Sequence, residues 1–268
     1  MGINTVALVI STYNRPNALL LTLESVMHQS QMPSEIVIAD DGSSPETTIL
    51  IEKYCTQIPV PLIHCWHPDN GFQLAMIRNK AIALSSSEYI ISIDGDLILH
   101  KHFIRDHMRT SEHGCFIQGS RVLLSEQLTA QIEKDNSIPK LDWLSKGIKN
   151  RLNAIYNPII SHWLSKKQRK TDHMEGVRGC NMAFWRNDYV AVNGFNEDIS
   201  GWGREDSELV VRFKNQEIQR KNLKFGGIVW HLFHIERSRE SLSQNDAVLE
   251  KAICQRLSKC QNGINKYL

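Results

Sequence analysis

Residues 88–96 read EYIISIDGD, from Glu88 through Tyr89, Ile90, Ile91, Ser92 and Ile93 to Asp94, Gly95 and Asp96. A short run rich in apolar and β-branched residues suits a strand buried on both faces. This one ends in two carboxylates separated by a glycine. Two similar runs precede it. Thr5–Ser11 (TVALVIS) leads into Ser11-Thr12-Tyr13, and Glu35–Ala39 (EIVIA) leads into Asp40-Asp41-Gly42-Ser43. Helical spacing fills the gaps. In Asn17–Gln29, Leu19, Leu20, Leu23, Val26 and Met27 share a face. Ser44–Thr56 has Ser44 as N-cap and Pro45 at its first position. Pro61–His67 adds a strand and Phe72–Leu84 a helix. This alternation predicts βαβ units, hence an α/β fold with a mostly parallel sheet flanked by helices. Ligands of such sheets sit beyond the C-terminal strand ends, where all three polar clusters fall.

Composition narrows the reading further. The chain has 268 residues, 41% hydrophobic and 22% charged, which is enough to bury a large core. A formal net charge of +2 is too small to make nucleic acid the main partner. The first residues, MGINTVALVISTYNRP, lack the basic region and long apolar stretch of a secretory signal. No window approaches the ~20 apolar residues that span a bilayer. The six cysteines form no CxxC pair, so reduced thiols and a cytoplasmic setting are expected.

Downstream, Cys115–Leu124 reads as a single strand. From Lys134 to Asp172 the character changes, with nine Lys/Arg against three Asp. Trp143, Leu144, Ile148, Leu152, Ile159, Ile160 and Trp163 are interleaved with the positive charges, which predicts an insertion of basic amphipathic helices. Gly176–Trp185 returns to strand-like sequence, Asp188–Val192 is a short helix and Glu205–Asn215 a longer one. Val229–His234 is a last strand or turn, followed by a helical tail. The organisation expected is one structural domain in four stretches: 1–125, a basic helical insertion at 126–172, 173–240, and a C-terminal tail at 241–268.

Three acidic sites and two histidines carry chemistry. Asp94 and Asp96 at one strand end repel each other unless a cation lies between them, and oxygen ligands suit magnesium or manganese. Such a cation binds a diphosphate and stabilises its departure. A solvated acidic turn is the bland alternative. Asp40-Asp41-Gly42-Ser43 also suits a plain turn, while a carboxylate there can accept the imide proton of uracil. In Trp202-Gly203-Arg204-Glu205-Asp206, the acids favour the start of a helix. The tryptophan suits stacking on a sugar face, and a nearby carboxylate suits general-base work on a hydroxyl. His231 and His234 close the list. One imidazole added to a carboxylate site favours manganese over magnesium.

VISTYNRP (9–16), IVIADDGSS (36–44) and YIISIDGD (89–96), in that order and spacing, resemble the family 2 glycosyltransferases. These have the GT-A fold, a Rossmann-like mostly parallel sheet. RGCNMAFWRNDYVAVNGFNEDISGWGREDSE (178–208) followed by VWH (229–231) is similar to β-1,4-galactosyltransferases and bacterial chondroitin polymerases. Phe72-Gln73-Leu74-Ala75 with Arg78-Asn79 resembles the bacterial polymerases too. The resemblance implies donor-binding roles for Ser11, Thr12, Tyr13, Asp40 or Asp41, Arg78, Asp94 and Asn181. It implies Asp94, Asp96 and His231 as metal ligands, with His234 facing phosphate or acceptor. Asp206 is implied as catalytic base and Glu205 as a partner of donor or acceptor hydroxyls. Trp202 and Gly203 are implied at the acceptor, Gly201 and Gly203 letting the loop close. Arg204 departs from the glycine usual before the Glu-Asp pair, and an arginine there suits an acidic sugar or a phosphate on the acceptor.

The function so implied is inverting, manganese- or magnesium-dependent transfer of a hexose or N-acetylhexosamine from a UDP-sugar to a saccharide, in bacterial surface polysaccharide synthesis. The basic segment 134–172 suits contact with an anionic membrane at its inner face, bringing the enzyme to a lipid-linked acceptor. Two rivals stay open: a non-catalytic nucleotide-sugar-binding protein of the same fold, and a sugar nucleotidyltransferase.

Overall fold

The structure is a computed structural model that describes residues 3–167, 169–170, 176–235 and 238–268. The boundary expected at 172/173 lies outside the described residues. The first half runs β1 (Val6–Thr12), α1 (Pro16–Met27), β2 (Glu35–Asp40), α2 (Pro45–Cys55), β3 (Leu62–Trp66), α3 (Leu74–Leu84) and β4 (Tyr89–Asp94). Then come β5 (Leu97–Leu99), α4 (Phe103–Thr110), β6 (Cys115–Gly119), β7 (Val122–Leu124) and α5 (Glu126–Asp135). β8 (Ile148–Lys149), α6 (Pro158–Lys167), β9 (Arg169–Lys170), β10 (Asn181–Trp185) and α7 (Arg186–Ala191) follow. The chain closes with α8 (Glu205–Asn215), β11 (Gln219–Leu223), β12 (Val229–His231) and α9 (Leu242–Cys254).

The main sheet has the order β3-β2-β1-β4-β10-β6-β11-β9. All its strands run one way except β10 and β9, so the sheet is mostly parallel. Every residue of β1 is buried, and alternation divides them between two cores. Val6, Leu8 and Ile10 pack with Leu19, Leu23 and Val26 of α1 and with Ile51 and Tyr54 of α2. Ala7 and Val9 pack with Ile77 and Ile82 of α3 and with Leu209 and Phe213 of α8. The result is the α/β layering expected. Register sets the level of the polar ends: Ser11 lies opposite Asp94 and Thr12 opposite Asp40.

A second sheet, β5-β12-β7-β8, was not foreseen. It corrects the single strand expected at 115–124, because β6 belongs to the main sheet and β7 to the small one. The bend has a physical cause. The buried Asn181 amide donates to Ser120 O and Gly227 O, both at 3.1 Å. It fills the space beside Gly119, where an added Cβ would lie 2.2 Å from Asn181 Nδ2. The helical insertion is also corrected. Among the described residues of the segment only α5 and α6 are α-helical, since Asn136, Gly147 and Asn150 take left-handed φ of 43°, 77° and 55° and break the run. β8 and β9 tie the segment to both sheets. No disulfide occurs among the described residues, and no helix there is long and apolar enough to cross a membrane.

α8 carries the Glu-Asp pair and is pinned from within. Arg212 is fully buried. Its Nε and Nη2 donate to Glu208 at 2.9 and 2.6 Å, and its Nη1 donates to Val192 O at 2.6 Å. Removing one member leaves the other charge buried and unpaired, a cost of about 3–5 kcal/mol, whereas replacing both by apolar residues is far milder. Arg212→Leu is therefore expected to lose about 3–5 kcal/mol in urea unfolding, with most of it recovered in Arg212→Leu/Glu208→Leu. A single variant within about 1 kcal/mol of the parent would show that the pair does not anchor α8.

Candidate active site

One cavity of about 1000 Å³ opens where the polar strand ends meet α8. Ser11, Thr12, Tyr13, Asp41, Arg78, Asp94, Asp96, Glu205, Asp206, His231 and His234 all line it, so most of the residues singled out in sequence converge.

Arg78 joins the two halves. It projects from α3 and is 1% exposed. Its Nε donates to Ser11 Oγ at 3.0 Å and its Nη2 to Asp94 Oδ1 at 2.7 Å. Its Nη1 stands 3.6 Å from Glu205 Oε1. That Nη1 is buried with no hydrogen-bond partner, and the guanidinium lies 5.2 Å from the Phe195 ring centroid. A single cation thus faces the IDGD strand end and the α8 acids at once. Burial pushes the Asp94 carboxyl above its ordinary range against the pull of Arg78. Glu205 is pushed up to about 7, chiefly by burial and by the adjacent Asp206, again opposed by Arg78. A carboxyl poised there can accept or donate a hydrogen bond near neutral pH.

A cluster that could hold a metal ion lies at the IDGD corner and overlaps the expected ligand set at Asp96 and His231. In the small sheet β12 runs antiparallel to β5, with His231 opposite Leu97. The pairing continues as Leu232 N–H donates to Asp96 O at 3.0 Å. This brings the strand after Trp230 to the IDGD corner. His231 Nε2 lies 3.6 Å from Asp96 Oδ1, and His234 Nε2 lies 3.4 Å from Asp96 Oδ2. One ligand atom from each of Asp96, His231 and His234 lies within 4.8 Å of the others. Asp96 Oδ1 is buried with no hydrogen-bond partner. Burial pushes His231 down, toward the neutral imidazole that ligates metals. An oxygen and two nitrogens fit a divalent transition ion such as manganese better than magnesium. His234 lies in this cluster, while Asp94, expected as a ligand, is engaged by Arg78. Arg15, not assigned a role in sequence, holds Asp96 Oδ2 at 2.8 Å and orients it.

At the end of β2 only one of the two aspartates reaches the cavity. Asp40 is fully buried, accepts from Ser43 N–H, and bonds His64 Nε2 at 2.9 Å. Asp41 lines the cavity, with Oδ1 at 2.8 Å from His67 Nε2 and Oδ2 accepting from Gln73 N–H. Lys80 Nζ lies 3.1 Å from the other nitrogen of His67, completing a chain behind the carboxylate. Gly42, at φ +89°, lets the turn lie against Asp69, whose Cα would be 2.5 Å from an added Cβ. Asn181, expected in the donor pocket, does not line the cavity; besides the two carbonyls it bonds His107.

Asp206 accepts at Oδ2 from Gly179 N–H at 2.9 Å and at Oδ1 from Ser207 N–H at 2.6 Å, which fixes its carboxylate at the cavity wall. Trp202 also lines the wall, in a loop whose Gly201 and Gly203 take φ of 72° and 98°. Asn245 of α9 holds this loop, donating to Ser200 O and Gly203 O at 3.0 Å each. Arg239 lies 5.1 Å from the Trp202 ring. Arg204, expected at the acceptor, lines the cavity, and its guanidinium pairs with Asp246 of α9, which offsets the cost of its left-handed φ of 80°. Nothing in the sequence marks Asn245 or Asp246 for these contacts.

Comparison with known proteins gives the family. Residues 7–169 match the family described as Glycosyl transferase family 2, and residues 161–236 match the N-terminal domain of galactosyltransferase. The chain is 23% identical over 218 residues to the chondroitin synthase of Pasteurella multocida, covering 77% of this chain and 22% of that protein. It is 21% identical over 257 residues to the Escherichia coli chondroitin synthase, covering 85% and 35%. A validoxylamine A glucosyltransferase of Streptomyces hygroscopicus subsp. limoneus is 23% identical over 230 residues, covering 77% and 47%. The chain thus spans less than half the length of each of these relatives. In structure it is similar to S. aureus TarS 1–349 in complex with UDP, with a TM-score of 0.63 at 13% identity, covering 98% of this chain and 68% of that one. The fold is shared with that protein, and with a family match over more than half its length the chain belongs to glycosyl transferase family 2.

Proposed function

We propose that this chain is an inverting, metal-dependent glycosyltransferase. In this reading it moves a hexose or N-acetylhexosamine from a UDP-sugar to a saccharide acceptor in bacterial surface polysaccharide synthesis. The observation that carries the reading is the Arg78 guanidinium, shared between Asp94 and Glu205 across one cavity. Binding alone needs no fixed base, and a nucleotidyltransferase is expected to have a Gly-rich basic loop after β1, where this chain has Ser11–Pro16. The chondroitin synthase and glucosyltransferase relatives support sugar transfer, and the UDP of the TarS complex supports the nucleotide.

Asp41, braced by His67 and the Gln73 amide, keeps acceptor capacity for the uracil imide. Ser11, Thr12 and Tyr13 line the nucleotide side. Asp96, His231 and His234 are the residues that would hold manganese. When bound, the ion supplies Lewis-acid charge for the leaving diphosphate. Arg78 adds a fixed positive charge between Asp94 and Glu205. Trp202 offers a face to the acceptor ring. Asp206 takes the proton from the acceptor hydroxyl, whose oxygen forms the new bond to the anomeric carbon. The bond from that carbon to UDP breaks, the electron pair leaves on the β-phosphate oxygen, and configuration inverts. Glu205 bonds hydroxyls beside Arg78.

The segment 134–172 supports a second element of the reading, contact with the cytoplasmic membrane. Trp143, Leu144, Leu152, Ile159 and Trp163 are between 51% and 82% exposed, among lysines and arginines. Aromatic and aliphatic side chains ringed by cations suit an anionic bilayer and a lipid-linked acceptor.

Three outcomes follow from this reading. Asp206→Asn is expected to bind UDP almost as the parent does and to turn over at least ~100-fold more slowly, the usual scale for a general base; turnover at the parental rate would reject the assignment. Asp96→Ala is expected to lose manganese-dependent UDP binding in calorimetry, and an unchanged manganese requirement would remove the ligand role. In flotation with phosphatidylglycerol vesicles at low salt the protein should rise with the lipid, and absence of co-flotation would eliminate the membrane contact.

A further inference from the structure

Among the described residues, some of the cations that line the cavity pair with carboxylates and others do not. Arg15, Arg78 and Arg204 pair with Asp96, Asp94 and Asp246. Arg121, Lys149 and Arg178 line the same cavity, and among the described residues none of them has a carboxylate partner. Arg121 Nε is buried with no hydrogen-bond partner, and Nη1 has only the weak acceptor Cys180 Sγ at 4.0 Å.

The small sheet explains their placement. His231 is in register with Leu123, and Leu123 with Lys149. Residues opposite one another share a face, so His231, Leu123 and Lys149 form one row across the cavity floor. Arg121, two positions before Leu123, projects the same way. Val122, Ile148 and Trp230, which alternate with them, pack in the core beneath. Lys149 is two strands from His231, about 10 Å at ordinary strand spacing. Arg178 precedes Gly179, whose amide holds Asp206. The cations therefore extend from beside the metal group toward the base. Arg121 is half-buried and Lys149 and Arg178 are exposed, so an anion entering from solvent would meet all three positive charges.

We propose that Arg121, Lys149 and Arg178 form an anion subsite that takes a carboxylate or phosphate carried by one of the two sugar substrates, the transferred sugar or the acceptor. The proposal rests on the transferase reading and adds to it the charge of the substrate.

The test is calorimetric titration with manganese of the parent protein and of Lys149→Gln/Arg178→Gln. One arm compares UDP-glucuronate with UDP-glucose. The other, with UDP present, compares a glucuronate-containing tetrasaccharide and a glycerol-phosphate oligomer with neutral maltotetraose. The parent is expected to bind the anionic probe of one arm at least about tenfold more tightly than its neutral counterpart, the scale of one hydrogen bond to a charged group. The arm that responds identifies the substrate bearing the charge. The variant should lose that preference while binding UDP as the parent does. Equal binding of anionic and neutral probes in both arms, or a preference that survives in the variant, would overturn the subsite. A parent protein that does not bind UDP with manganese contradicts the transferase reading instead, and the saccharide preference still decides the subsite.

Discussion

The Arg78 guanidinium is almost wholly removed from water, and the site depends on how that burial is compensated. Taking an unpaired cation out of water costs several kcal/mol. Here Asp94, Ser11 Oγ and the face of Phe195 receive it, with Glu205 close by. The compensation is mutual. Asp94, Glu205 and Asp206 would repel one another across the cavity without a positive charge between them. Arg78 stands on α3, Ser11 on β1, Asp94 on β4 and Glu205 on α8, so one side chain couples four elements from separate parts of the chain.

Around that centre two devices set the chemistry. The small sheet turns a strand alternation into a division of labour. Trp230 packs inward, while His231 on the next position faces the cavity beside Asp96. At the opposite wall α9 holds the Trp202 loop through Asn245 and Asp246. Residues 237–268 lie beyond both family matches, so the helix that braces this wall belongs to a part of the chain the matches do not reach.

How much of this was legible in the sequence follows from the kind of signal each element leaves. The parallel strands were readable because burial on both faces demands unbroken apolar runs, and their polar ends stand out against those runs. β5, α4 and β11 gave no such signal. β5 is too short for a period, and α4 (FIRDHMRT) is rich in charge. β11 (QRKNL) buries a lysine, which its sequence disguises; Lys221 is satisfied by Thr110 O and Glu112. Of the site, sequence could place Asp40 and Asp41 at a strand end but not say which one faces the cavity, since that depends on local twist and on His64 and His67. The approach of His234 to Asp96 and the pairing of Asp94 with Arg78 were hidden for the same kind of reason: each joins residues far apart in the chain, and no spacing rule predicts that. Arg204 was legible as unusual, but its partner lies on a helix read only as a tail.

The central claim is that one cavity holds a metal group at the IDGD corner within reach of the α8 acids. Anomalous diffraction from crystals grown with manganese and UDP tests it most directly. A peak bonded to Asp96, His231 and His234, with the diphosphate beside it and Glu205 and Asp206 facing the same cavity, is the predicted result. A manganese peak bound away from these three side chains, or UDP lodged outside that cavity, would contradict the account.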